Sequence, residues 1–166
     1  MRPLIIDVEA SGFGRGSYPI EVGVALASGE TRCMIIRREP EWVHWDDSAE
    51  GLHGISREEL NRHGKSVAEV ANFLNSWLAG QVVYSDAWGN DSSWLALLFE
   101  YANVGQRFKL ESLRSLLNEH QLEVWHETKE NLTQASDFRR HRASNDALIL
   151  QQTYCKTADV TVVLEE

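Results

Sequence analysis

The chain has 166 residues, 43% of them apolar and 25% charged, which suits one folded unit with a real core and is too short for two ordinary domains. Its 16 basic and 25 acidic residues leave a formal charge of −9, which argues against a basic coat for nucleic acid but not against a local carboxylate cluster whose cations invert the field. The opening MRPLIIDVEA is too short for a signal peptide or a membrane span, and Cys33 and Cys155 lack disulfide or metal spacing, so both are expected reduced, in a cytoplasmic protein.

Residues 2–8 form a buried strand in this reading. Residues 18–27 and 31–37, rich in β-branched side chains and separated by Ser28-Gly29-Glu30, form a hairpin, so three antiparallel strands open the chain. Residues 40–55 lack a clean period and read as a loop with short turns. Residues 66–79 set Val67, Val70, Phe73, Leu74, Trp77 and Leu78 at helical spacing, with Ser66 and Glu69 as a capping box and Gly80 as the stop. Residues 81–84 make a short strand. Helices are expected over 91–102, 110–119 and 144–156. Residues 120–138 are helical in part, and 158–166 form a short strand or an extended end. This order predicts an α/β fold over residues 1–166, with a mixed sheet of three antiparallel N-terminal strands plus parallel strands, flanked by helices. Trp42, Trp45 and Trp88 fall in loops, where base stacking competes with ordinary packing.

Three features carry chemistry. Asp7 and Glu9 stand two apart on the first strand, so both side chains leave the same face. Two close carboxylates stay ionised only if a cation or hydrogen-bond donors compensate them. Ser11-Gly12-Phe13-Gly14 follows, a turn where backbone can approach a ligand. Asp91 opens the helix after the fourth strand; Asp86, on the preceding loop, competes with it. His141 and Asp146 flank the start of the last helix. On one helix they would point roughly 140° apart, but with His141 in the loop and Asp146 in the first turn they can converge.

These residues resemble the motifs of the DnaQ-like 3′–5′ exonucleases, the DEDD superfamily in its histidine-containing subtype. Asp7-Val8-Glu9 matches that family's first motif and Ile20-Glu21-Val22-Gly23 the strand that follows it. His53-Gly54-Ile55 matches its His-Gly-Ile segment, Asp91 to Leu95 its second motif, and His141 to Asp146 its third. The matches run in family order from residue 4 to about residue 154. Two departures stand out: Ala10 replaces the usual Thr, and Ser85-Asp86 replaces a His-Asn pair, one residue too far from Asp91.

The resemblance implies a ribonuclease H-like fold and a single exonuclease domain that releases nucleoside 5′-monophosphates from the 3′ end of DNA or RNA, single strands favoured. Asp7, Glu9, Asp91 and Asp146 would hold two divalent cations, Mg²⁺ or Mn²⁺, about 3.5–4 Å apart. His141 would be the general base. Ala10, Ser11, Gly12 and Phe13, with Leu52 and His53, would line the pocket for the terminal nucleotide. Arg139, Arg140 and Arg142 would steer phosphate or form a solvated charge run. The alternatives are a polymerase proofreading subunit, disfavoured by the lack of a visible tether, and an inactive binding module on the same fold. A homodimer stays open, and no membrane role is expected.

Overall fold

A computed structural model describes residues 1–137 and 140–164, with side chains as far as Asp159. Arg139 therefore lies outside the described residues, as do Phe138, Glu165 and Glu166. The strands are β1 (Leu4–Ala10), β2 (Pro19–Ala25), β3 (Thr31–Ile35), β4 (Val82–Ser85) and β5 (Lys109–Ser112). The helices are α1 (Asp47–His53), α2 (Arg57–His63), α3 (Val67–Leu78), α4 (Trp88–Ala102), α5 (Glu119–Ala135) and α6 (Ala143–Leu164).

The strands form one sheet in the order β3-β2-β1-β4-β5. β1 pairs antiparallel with β2, and β2 with β3; β1–β4 and β4–β5 are parallel. This is the expected ribonuclease H-like mixed sheet. β1 decides what each face receives. Ile6 and Val8 point into a core shared with Val22, Val24, Leu74, Leu95 and Leu98, which buries α3 and α4 on that face. Ile5 points the other way and packs with Ala25, Leu113, Ala147 and Leu150 beneath α6. Because strand side chains alternate, Asp7 and Glu9 share the face of Ile5 and look toward α6.

The Ser66–Glu69 capping box is present on α3. Elsewhere the structure corrects the sequence reading. Residues 40–55 contain α1, capped by the Asp46 side chain at its start and closed by Gly54 at φ 67; that backbone angle suits glycine. α2 follows, capped by Ser56. The expected helix over 110–119 is instead the end of β5 and a 3₁₀ turn, Leu113–Leu116. Its leucines fit a helical period, but residues 109–112 satisfy the otherwise open edge of β4. α5 starts at Glu119 behind an Asn118–Gln121 capping box. The tail expected as a strand or extended end continues α6 to Leu164. Among the described residues, no helix is long and apolar enough to cross a membrane. Cys33 and Cys155 are both free thiols.

Candidate active site

The site is built where β1 meets the start of α6. Asp7 pairs across the ladder with Gly23, and Glu9 with Glu21. At Gly23 the α6 backbone crosses so closely that a Cβ would sit 2.1 Å from the Ser144 nitrogen and 2.2 Å from the Ala143 carbonyl carbon. No side chain fits there, so this one glycine lets α6 lie against the acidic strand. Glu21 then fixes the position. Fully buried, it accepts from Arg142 Nη2 at 2.7 Å and Nε at 3.0 Å, and from the Ala143 N–H at 2.7 Å. A buried carboxylate needs such donors, and here they tie the first residues of α6 to β2.

That clamp brings Asp146, in the first turn of α6, to the carboxylates of β1. His141, one residue before Arg142, takes a left-handed backbone at φ 59. Its own N–H donates to Asp146 Oδ2 at 3.0 Å, and Arg140 Nε donates to Oδ1 at 3.1 Å. One potential ligand atom from each of Glu9, His141 and Asp146 falls within 4.8 Å of the others. The loop-then-helix arrangement does make His141 and Asp146 converge.

Asp91 enters from α4. It is 1% exposed and accepts a hydrogen bond from Ser85 Oγ at the end of β4. Ser85 thus holds Asp91 where the resemblance would place a His-Asn pair. α4 begins at Trp88, three residues earlier than the sequence suggests, which accommodates the long spacing to Asp91. Asp86 does not join the site. It is exposed and pairs with Lys129 Nζ at 3.0 Å.

One cleft gathers these groups. Its walls include Asp7, Glu9, Ala10, Gly12, Phe13, Leu52, His53, Asp91, His141 and Asp146, together with Ala49, Asn90 and Trp94. It lies at the carboxyl ends of the adjacent parallel strands β1 and β4, the usual ligand position on sheets of this kind. Of the residues expected at the site, Ser11 alone fails to line the cleft. It is fully buried, bonds His44 Nδ1 at 2.9 Å and accepts from the Tyr18 N–H, so its hydroxyl cannot replace the one missing at Ala10. His53 is oriented by its own turn: Nδ1 accepts from the Ile55 N–H at 3.0 Å. The neutral ring therefore carries its proton on Nε2, a buried atom with no hydrogen-bond partner among the described residues. Arg142 is no part of a solvated charge run, because it is committed to Glu21. Trp42 is buried and stacks on Tyr18, and Trp45 donates to Glu50 and lies under Arg57. Neither is free to stack on a base. Trp88 remains exposed.

The carboxylates repel one another. Burial, then Asp91, Glu9 and Asp146, hold the Asp7 carboxyl well above the ordinary range. Burial and Asp146 push Glu9 up to about 7. Burial pushes Asp91 from 3.8 to about 7, against the hydrogen bond from Ser85. Between pH 4 and 7 the folded chain thus binds more protons here than the unfolded chain, so these groups remove stability as pH rises through that window. For Asp91 alone the shift corresponds to roughly 4 kcal/mol. A divalent cation binds only the ionised cluster. The rise in melting temperature that Mn²⁺ produces over a chelator should therefore grow steadily from about pH 5 to pH 8. A pH-independent or absent increment, read by differential scanning fluorimetry, would show that the cluster holds no cation.

No protein-family model matches the chain, and no curated protein does. Solved structures do match. Escherichia coli exonuclease I in complex with a dA16 oligonucleotide superposes with a TM-score of 0.68 at 14% identity, over 95% of this chain and 40% of that one. The same enzyme with a 5cy-dA13 oligonucleotide gives 0.65 at 15% identity, over 93% and 40%. A zinc-ion-bound form of its single-stranded DNA complex gives 0.64 at 14% identity, over 95% and 41%. The chain spans about 40% of the length of these enzymes, and at such identities the likeness establishes a shared fold.

Proposed function

We propose that the chain is a divalent-metal-dependent 3′–5′ exonuclease that releases nucleoside 5′-monophosphates from single-stranded DNA or RNA. The observation that carries this reading is the convergence of Asp7, Glu9, Asp91, Asp146 and His141 on one cleft, a set rich in hard oxygen donors and short of compensating charge. Such a donor set fits Mg²⁺ or Mn²⁺. The residues that would hold two of them are Asp7, Glu9, Asp91 and Asp146, with Asp7 between the others. When bound, the ions would supply Lewis-acid stabilisation of an in-line phosphoryl displacement.

The chain's own residues do the rest. An imidazole nitrogen of His141 takes one proton of the attacking water as the water oxygen bonds to phosphorus; the bond from phosphorus to the 3′ oxygen breaks, and that oxygen leaves as the 3′ hydroxyl after taking a proton from solvent. The Asp146 bond to the His141 N–H keeps the base beside the acids. Ala10, Gly12, Phe13 and Leu52 form the apolar wall for the terminal nucleoside, and His53 Nε2–H offers it a donor. An inactive binding module is disfavoured because every acid of the set is present. A cytoplasmic setting and a single exonuclease domain belong to the same proposal, and either a homodimer or a polymerase partner is compatible with it.

A 3′-labelled oligonucleotide should lose labelled mononucleotide in Mg²⁺ or Mn²⁺ and stay intact with a chelator. An intact substrate under metal-replete conditions would refute the assignment.

A further inference from the structure

A second groove opens beside the cleft. It is lined by His126, Lys129, Glu130, Thr133 and Gln134 of α5 and by Arg140 across from them. The α5 positions recur at three and four residues, so they form one face of that helix. Two contacts join this groove to the cleft. Lys129 pairs with Asp86, next to Ala87 on the cleft wall. Arg140 pairs with Asp146 and neighbours His141, both on the same wall. Lys129 is close enough for its charge to favour ionisation of Asp7. In a chain of net charge −9, two cations converge on the rim of the acidic site.

We infer that this groove is a subsite for nucleic acid, in which Lys129 and Arg140 hold the phosphate upstream of the scissile one. The inference deepens the exonuclease reading and rests on it. With the terminal nucleoside against Phe13 and Leu52 and the scissile phosphate at the carboxylates, the upstream strand has to leave the cleft, and the rim formed by Asp86 and His141 leads it into the groove. Both cations are held in place by acids and remain partly exposed, at 27% and 43% of their side-chain area. Asp146 is among the residues that would hold a divalent cation, and Arg140 would then not be required to balance its charge and could serve the strand. Phosphate suits both groups: Lys129 as a compact charge, and Arg140 through its fork of N–H donors.

The test compares Lys129→Gln and Arg140→Gln with Arg62→Gln, an exposed cation on α2 paired with Glu58. On an Asp7→Asn background, binding of a fluorescent single-stranded DNA or RNA oligonucleotide is followed by anisotropy across a salt series. Each groove substitution should weaken binding at least fivefold at low salt and reduce the slope of log K against log salt by about 0.7, the value for one single-strand phosphate contact. Arg62→Gln should leave the slope unchanged. In the otherwise wild-type chain, kcat/KM should fall at least tenfold more on the oligonucleotide than on the p-nitrophenyl ester of thymidine 5′-monophosphate, which has no upstream phosphate. Unchanged slopes, or equal losses on both substrates, would overturn the subsite. If the wild-type chain cleaves neither substrate, the exonuclease reading fails, and the binding series still decides whether the groove takes a strand.

Discussion

Asp7→Asn should lower mononucleotide release by about a thousandfold or more and leave the metal-free protein as stable as before, or more stable. The two effects have one cause. Asp7 sits within the fields of Asp91, Glu9 and Asp146, and burial together with these neighbours holds its carboxyl well above the ordinary range, so its charge is disfavoured in the metal-free fold. An amide of the same shape removes that repulsion, so the melting temperature should hold or rise. It also removes one of the four acids that would hold the metal. A thousandfold loss corresponds to roughly 4 kcal/mol of transition-state stabilisation, a reasonable amount for a preorganised charge at a reacting phosphoryl group. Asp91→Asn should follow the same pattern. Asp86→Asn should not, because Asp86 is exposed and occupied by Lys129. Full turnover in Asp7→Asn, or a larger loss in Asp86→Asn than in Asp91→Asn, would show that the wrong acids were assigned. The measurements are initial rates on a labelled oligonucleotide and a melting curve in chelator.

Much of this site was legible in the sequence because strands and caps obey local rules. The two-residue step of Asp7 and Glu9 gave them a common face, and the Ser66–Glu69 box located α3 to within a residue. The His141-to-Asp146 interval required a loop-to-helix junction, and one is there. Local signals failed where tertiary pairing decided the outcome. Leu110, Leu113, Leu116 and Leu117 stand at helical spacing, yet residues 109–112 complete the parallel edge of β4. α1 hid in an aperiodic stretch, although Asp46 and Gly54 mark its two ends. Trp94 and Asn90 reach the cleft from the face of α4 that also presents Asp91, a placement no spacing along one chain segment reveals. Ser11 lies off the cleft because the turn after β1 rotates its hydroxyl toward His44 and Tyr18.

Glu21→Gln should both destabilise the chain and weaken its hold on metal, although Glu21 touches no substrate in the proposed reaction. Its carboxylate is fully buried and meets three donors from two successive residues, Arg142 and Ala143. Glutamine keeps one acceptor for Ala143 but leaves the half-buried Arg142 without its counter-charge. Breaking a buried ion pair on one side removes about 3–5 kcal/mol. In a chain of this size that is a fall in melting temperature of roughly 6–20 °C. Packing loss alone would end there. The clamp predicts more, because Ala143 begins the helix whose first turn carries Asp146, and His141 lies just before it. A small shift of that turn separates Asp146 and His141 from Glu9. The Mn²⁺ concentration for half-maximal turnover should then rise tenfold to a hundredfold, in the range seen when residues that orient metal ligands are removed. Measured well below the lowered melting temperature, an unchanged metal requirement in Glu21→Gln would make the residue a structural ion pair only. A shifted requirement would make it a positioning residue, acting on the acids of β1 and α6 through the one crossing point that Gly23 leaves open.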